Sequence, residues 1–249
     1  MYFSIIFALM IFLPVFVIPF FTEKKRAPYR VIMGAVIVTL AAVAVVLGVA
    51  NLTGEPLNSQ FMDRAETISR LVADDANASK MMGMSELDYM GRVEYLLLVY
   101  DMISKLMPAM CVILTSITAY FSYIILYKTP AKRRFEMSHL AALRYFSWSP
   151  KIIIATFFIT IIAFLLDKTA IFGNLALYQN VILLFEAGLT LQGLAVYLFY
   201  AKLKKFSPIV KNVILVILLL TGIGRTALLI IGALDILFSL RTKIFLKHV

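Results

Sequence analysis

The chain is poor in the residues from which soluble enzymes build their sites. It has one cysteine, Cys111, set inside an apolar run, which excludes an internal disulfide and any cysteine-cluster metal site. Its two histidines, His139 and His248, both lie outside the apolar runs, so a metal site or a histidine base within a membrane is not expected. Charged residues make up 15% of the sequence, against about a quarter in ordinary soluble domains. H-E-x-x-H, a nucleophile elbow, a P-loop and G-x-G-x-x-G are all missing. The expectation is a protein that is not an enzyme and that carries no metal and no cofactor.

What is abundant is apolar. Hydrophobic residues are 62% of the 249. They are grouped in runs long enough for membrane spans, which need about 20 residues each. Seven spans are expected, at about 2–21, 31–50, 106–127, 151–166 and 175–201, with two more in 208–241. The last region would reach about 50 Å as one helix, too long without a break. Gly222-Ile223-Gly224-Arg225 at its middle offers a turn, so a hairpin is expected there. In the second span Ala44 and Gly48 share a face, a spacing that admits a neighbouring helix. Residues 51–94 form the one sizeable polar insert, with eight acidic and four basic residues. Phe61, Ala65, Ile68 and Val72 form its apolar stripe. Ser85, with Asp88 three residues on, marks a helix start leading into the third span. Near the end of that span Tyr120, Tyr123 and Tyr127 are placed for a membrane interface. The fold class is therefore an all-α polytopic helix bundle, a single integral membrane domain over 1–249 with a helical insert at 51–94.

Charge orients the bundle. The basic residues are concentrated in 23–30, 128–151, 202–211 and the tail after 240, which together hold 17 of the 24 Lys and Arg. By the positive-inside tendency these segments are cytoplasmic, the N-terminus and the insert are outside and the C-terminus is inside. The net charge of +10 then reflects contact with anionic lipid heads. The expected partners are the lipid bilayer and a membrane or cytoplasmic protein, and no nucleic acid.

Charged groups within a bilayer are costly and so single out candidate sites. Glu186 is the foremost, about 16 Å into its span at helical rise. Gln179, Glu186, Thr190 and Gly193 share its face, and Asn180 and Gln192 add polarity on neighbouring faces. Glu186, Gln179, Asn180, Thr190 and Gln192 are either a polar cavity for a ligand or ion, or an interhelical hydrogen-bond cluster. Asp235, Arg225 and Arg241 are expected in structural or partner contacts. Asp235 and Arg241 are six apart and off one another's helical face. Asp235 should therefore meet a basic group from 202–211 or 128–151, while Arg225 should snorkel to headgroups.

Leu191-Gln192-Gly193-Leu194-Ala195, the run Gly232-Ala233-Leu234-Asp235 with Leu240-Arg241 after it, and the basic cluster 24–30 resemble the YybS-like family of bacterial membrane proteins of unknown function. The resemblance implies a polytopic cell-membrane protein. Family members generally extend further at the N-terminus, and an acidic residue often precedes their closing aromatic-Arg pair, where this chain has Phe238-Ser239-Leu240-Arg241. The family has been grouped with substrate-capture subunits of uptake systems and with envelope-morphogenesis proteins. Two functions thus stay open, a small-molecule transport or substrate-capture subunit and a non-enzymatic scaffold of the cell envelope.

Overall fold

A computed structural model describes residues 2–22, 27–54, 56–130, 135, 137–169 and 176–242. The basic clusters Lys24–Arg26 and Lys132–Arg134, and the tail residues Lys243, Lys247 and His248, lie outside the described residues. So does most of the expected turn at 167–174. The described residues are helical, with no strand among them. They fall into two compact units, 1–139 and 140–249.

The first unit contains α1 (Tyr2–Thr22), α2 (Pro28–Leu52), α3 (Leu57–Asp74), α4 (Ala76–Met81) and α5 (Tyr89–Lys128). α1, α2 and α5 pack on one another. Ile6, Met10 and Val43 form the buried centre, ringed by Leu47, Cys111 and Leu114. The Thr118 hydroxyl donates to the Met10 carbonyl at 2.7 Å, tying α5 to α1. The expected close approach at Ala44 and Gly48 is absent. Both are exposed, and a Cβ on Gly48 would meet nothing within 4 Å. α2 buries Val36, Thr39 and Val43 instead.

α5 has 40 residues, about 60 Å at helical rise, roughly twice the hydrocarbon thickness. Asp101 and Lys105 pair on it at 2.7 Å, as their i,i+4 spacing requires. Its start is one turn later than expected. Asp88, not Ser85, is the N-cap, its carboxylate accepting from the Gly91 amide at 2.8 Å. The insert helix α3 lies on α5, with Phe61 edge-on to Tyr100. The buried stripe of α3 is Ala65, Ser69 and Ala73, and Ile68 faces out. Small residues occupy the seam because they let two helices approach closely, and the larger Ile68 does not fit there. The segment after α3 is also better held than its polar sequence suggests. Asp75 caps α4, Met84 is buried, and Arg92 reaches the Leu87 and Ala73 carbonyls. Tyr123 is buried, and its hydroxyl donates to Ser138 O at 2.7 Å.

The second unit contains α6 (Pro150–Asp167), α7 (Leu177–Leu203), α8 (Pro208–Leu220) and α9 (Gly222–Phe238). Ser149-Pro150 and Ser207-Pro208 start two of these helices, with serine as N-cap and proline at N1. Asp167 closes α6 and accepts from the Leu177 and Tyr178 amides, both at 2.9 Å, so one carboxylate satisfies the N-terminus of the next helix. α6 buries only Ala163, and its other apolar residues are available to lipid.

Among the described residues, five helices are long and apolar enough to cross a membrane: α1, α2, α5, α6 and α7. α8 and α9 count as one more span at most, bent by 98° at their junction. Five or six candidate spans thus replace the seven expected, and the expected hairpin is corrected. The break falls at Thr221, whose hydroxyl caps α9 by accepting from Gly224 N at 3.0 Å. Gly222 and Gly224 are then the first turn of a helix, not the turn of a hairpin. A 98° bend does not make the two helices antiparallel.

α9 packs chiefly on α7. Glu186 meets Arg225 and Gln192 meets Asp235 along this contact. Arg144 lies beside both Arg241 and the 202–211 segment, so those two segments share one end of the unit. The positive-inside tendency makes the side on which they lie testable. On a Cys111→Ser background, single cysteines at Ser207 and Thr242 should react with an impermeant reagent only in inside-out vesicles. A cysteine at Ser85 should react only in intact cells. Labelling of 207 and 242 from opposite sides would overturn the shared placement.

Candidate functional site

The polar residues of the second unit assemble along the seam between α7 and α9. That seam exists because two glycines allow it. A Cβ on Gly193 would lie 2.0 Å from the Leu228 carbonyl oxygen, and one on Gly232 would lie 2.1 Å from that of Leu189. The two backbones touch, as small residues permit in membrane helices. A Cβ on Gly188 would lie 1.8 Å from the Trp148 ring, so the indole of the segment before α6 is seated directly on α7.

Asp235 sits at the centre of a hydrogen-bond network and is 4% exposed. Its Oδ2 accepts from Gln192 Nε2 at 2.6 Å and from Arg241 Nε at 2.9 Å. Arg241 Nη2 completes the ion pair at 2.8 Å. Oδ1 accepts from the Arg241 backbone amide at 3.0 Å. Arg241 Nη1 donates onward to the carbonyls of Arg144 and Phe146 at 3.1 and 2.7 Å. Gln192 Oε1 accepts from Trp148 N at 3.1 Å. Three chain segments are thereby joined, and no atom of the carboxylate is left without a donor. A buried charge requires this.

The direct Asp235–Arg241 pair corrects the sequence expectation. Six residues apart on one helix, the two side chains would diverge. The helix instead ends at Phe238, and Ser239 adopts a left-handed conformation with φ 52°. The reversal returns Arg241 to the last turn. The 128–151 segment does reach this site, but it supplies carbonyls to Arg241 and no cation to Asp235.

Glu186 and Arg225 form a second pair at 3.2 Å. Arg225 thus has a carboxylate partner within the unit while its side chain stays half exposed. The other expected site residues do not converge on Glu186. Asn180 is buried and donates to the Ala176 carbonyl at 2.9 Å. Gln179 is exposed. The Thr190 hydroxyl is buried without a hydrogen-bond partner among the described residues. Gln192 belongs to the Asp235 network. No cluster of three or more metal-binding side chains occurs among the described residues.

At the C-terminal end of α7 lies a cavity of about 360 Å³, lined by Arg144, Lys202, Lys205 and Lys211 among others. The Arg144 guanidinium sits 4.8 Å from the Tyr145 ring centre. Its hydrogen bond and its charge hold the Tyr145 phenol below the usual tyrosine range. In the sequence these basic residues fall in separate loops, and their convergence depends on packing within the second unit, which no local pattern reveals.

Gln192, Gly193, Gly232, Asp235 and Arg241 all meet at this seam. Over 235 residues the chain is 25% identical to the uncharacterized protein YybS of Bacillus subtilis strain 168, covering 90% of this chain and 71% of that one. No solved structure matches. The family of predicted membrane proteins designated DUF2232 matches residues 1–236, and the chain belongs to that family.

Proposed function

We propose that the protein is a non-enzymatic scaffold of the cell membrane, with its intramembrane polar residues devoted to holding helices together. The carrying observation is that the second unit's three carboxylates are all committed within the chain. Asp167 caps α7, Glu186 pairs with Arg225, and Asp235 is enclosed by Gln192 and Arg241. Gln192 and Asn180 are likewise engaged by the protein's own groups. Side chains occupied in this way serve as interhelical ties, and the surfaces left for partners are the charged insert and the basic end of the second unit.

A substrate-capture reading has one observation in its favour. The Glu186 and Arg225 side chains remain 39% and 51% exposed, so a polar ligand could reach the pair. Glu186→Gln and Glu186→Leu separate the two. A scaffold retains its co-purifying membrane proteins in the Gln variant, because size and polarity are kept, while the Leu variant melts earlier. A capture subunit yields a bound small molecule from the native protein that both well-folded variants lose, and that result would overturn the scaffold.

A further inference from the structure

The positive charge of this chain is unevenly spread. Residues 140–249 hold eleven Lys and Arg and three carboxylates, while 1–139 are nearly balanced at thirteen and eleven. The three carboxylates of the second unit are already paired or capping. The cavity lined by Arg144, Lys202, Lys205 and Lys211 includes no acidic residue in its wall. Among the described residues no carboxylate stands beside these cations, and an anion entering the cavity would be attracted by all four.

Two details mark the cavity as built for one. Lys205 stands at the C′ position of α7 in the left-handed conformation, φ 53°. Phe206 N bonds back to Ala201 O, and Lys205 N to Lys202 O, which completes a Schellman turn. Glycine is the residue that this position favours; a lysine there trades backbone ease for a cation on the cavity wall, as strain at a functional position does. In addition, Arg144 lines the cavity while its Nε is buried with no hydrogen-bond partner among the described residues, so no carboxylate neutralises that guanidinium through Nε.

We propose that this cavity is a binding site for a phosphate group, of the kind an anionic phospholipid presents at the membrane surface. Its volume lies near the lower end of ligand cavities, roughly 300–1,000 Å³, which suits a headgroup. It opens at the end of a membrane-spanning helix, where headgroups lie. Leu143, Leu198 and Phe206 supply apolar wall beside the cations, as a lipid's glycerol and chains need. Basic pockets of this kind at the ends of membrane helices recognise acidic lipid heads.

The full-length protein is reconstituted in nanodiscs of phosphatidylcholine with phosphatidylglycerol, and retained lipid is read by native mass spectrometry. Phosphatidylglycerol should be retained over phosphatidylcholine. The combined Lys202→Gln, Lys205→Gln and Lys211→Gln variant should lose that preference by on the order of 100-fold. Inorganic phosphate and glycerol 1-phosphate, titrated into nanodiscs of phosphatidylcholine alone, identify a soluble anion as the source if they bind wild type and not the variant. Lys205→Gly guards against loss by unfolding. It should raise the melting temperature, because the left-handed position suits glycine, and still weaken lipid retention severalfold. Equal retention of both lipids by wild type with no phosphate binding, or unchanged retention in the lysine variants, would overturn the site.

Discussion

Asp235→Ala is expected to destabilise the second unit by about 3–5 kcal/mol, the cost of stranding one member of a buried ion pair. The carboxylate is enclosed, so solvent cannot replace it. Its loss leaves the Arg241 guanidinium, the Arg241 amide and the Gln192 amide without their acceptor at once. In detergent the melting temperature should fall by on the order of 10 °C. Asp235→Asn should be almost as harmful. It keeps the shape, but presents an amide to a guanidinium, donor against donor. The double variant Asp235→Leu with Arg241→Leu should recover only part of the loss. An isolated ion pair can often be replaced by apolar residues at no cost. Here, though, Arg241 also serves the carbonyls of Arg144 and Phe146, and those would remain unsatisfied. A thermal melt of Asp235→Ala that overlays wild type would refute the structural role.

The second large effect is expected at the seam glycines. In Gly193→Ala or Gly232→Ala the new methyl meets a backbone carbonyl at 2.0 or 2.1 Å. Backbone cannot rotate away as a side chain can, so α9 must retreat from α7. Overpacking of this sort costs about 1–3 kcal/mol by itself. The retreat also lengthens the Gln192–Asp235 and Glu186–Arg225 contacts, which the same seam holds in register. Each variant should therefore melt well below wild type, and the pair together should show strong non-additivity, since both act on one separation. Gly48→Ala is the control. Nothing lies within 4 Å of its new methyl, and a mid-helix glycine exchanged for alanine gains roughly 0.5–1 kcal/mol. If Gly48→Ala and Gly232→Ala had the same effect, the glycine seam would not be what holds the helices together.

The sequence made the helices legible but not their contacts. Apolar runs placed α1, α2, α6 and α7 within a few residues, because a span is a local property. The 40-residue α5 was likewise readable from uninterrupted pattern. Glu186 and Asp235 could be identified as anomalies, since charge in an apolar run is visible in one dimension. Their partners could not. Arg241 reaches Asp235 only because Ser239 adopts a left-handed conformation, and serine carries no signal for that. The 98° bend at Thr221 was hidden behind Gly222 and Gly224, which look like a turn and instead begin a helix. Ala44 and Gly48 show the reverse error. Spacing alone suggested a packing face, whereas a small residue only permits contact and does not compel it.

The brevity of α8 has a consequence for how the protein is made. Its 13 residues extend about 20 Å, less than the hydrocarbon thickness, and α9 begins with Gly222 and the charged Arg225. Neither segment has the length and the apolar start that would let it partition into lipid by itself. Arg225 finds its counter-charge on Glu186, a residue synthesised some forty positions earlier and carried by a helix long enough to insert unaided. Biogenesis therefore has a direction written into it. α7 must be in place first and serve as the template on which the segment from Pro208 onward enters the bilayer.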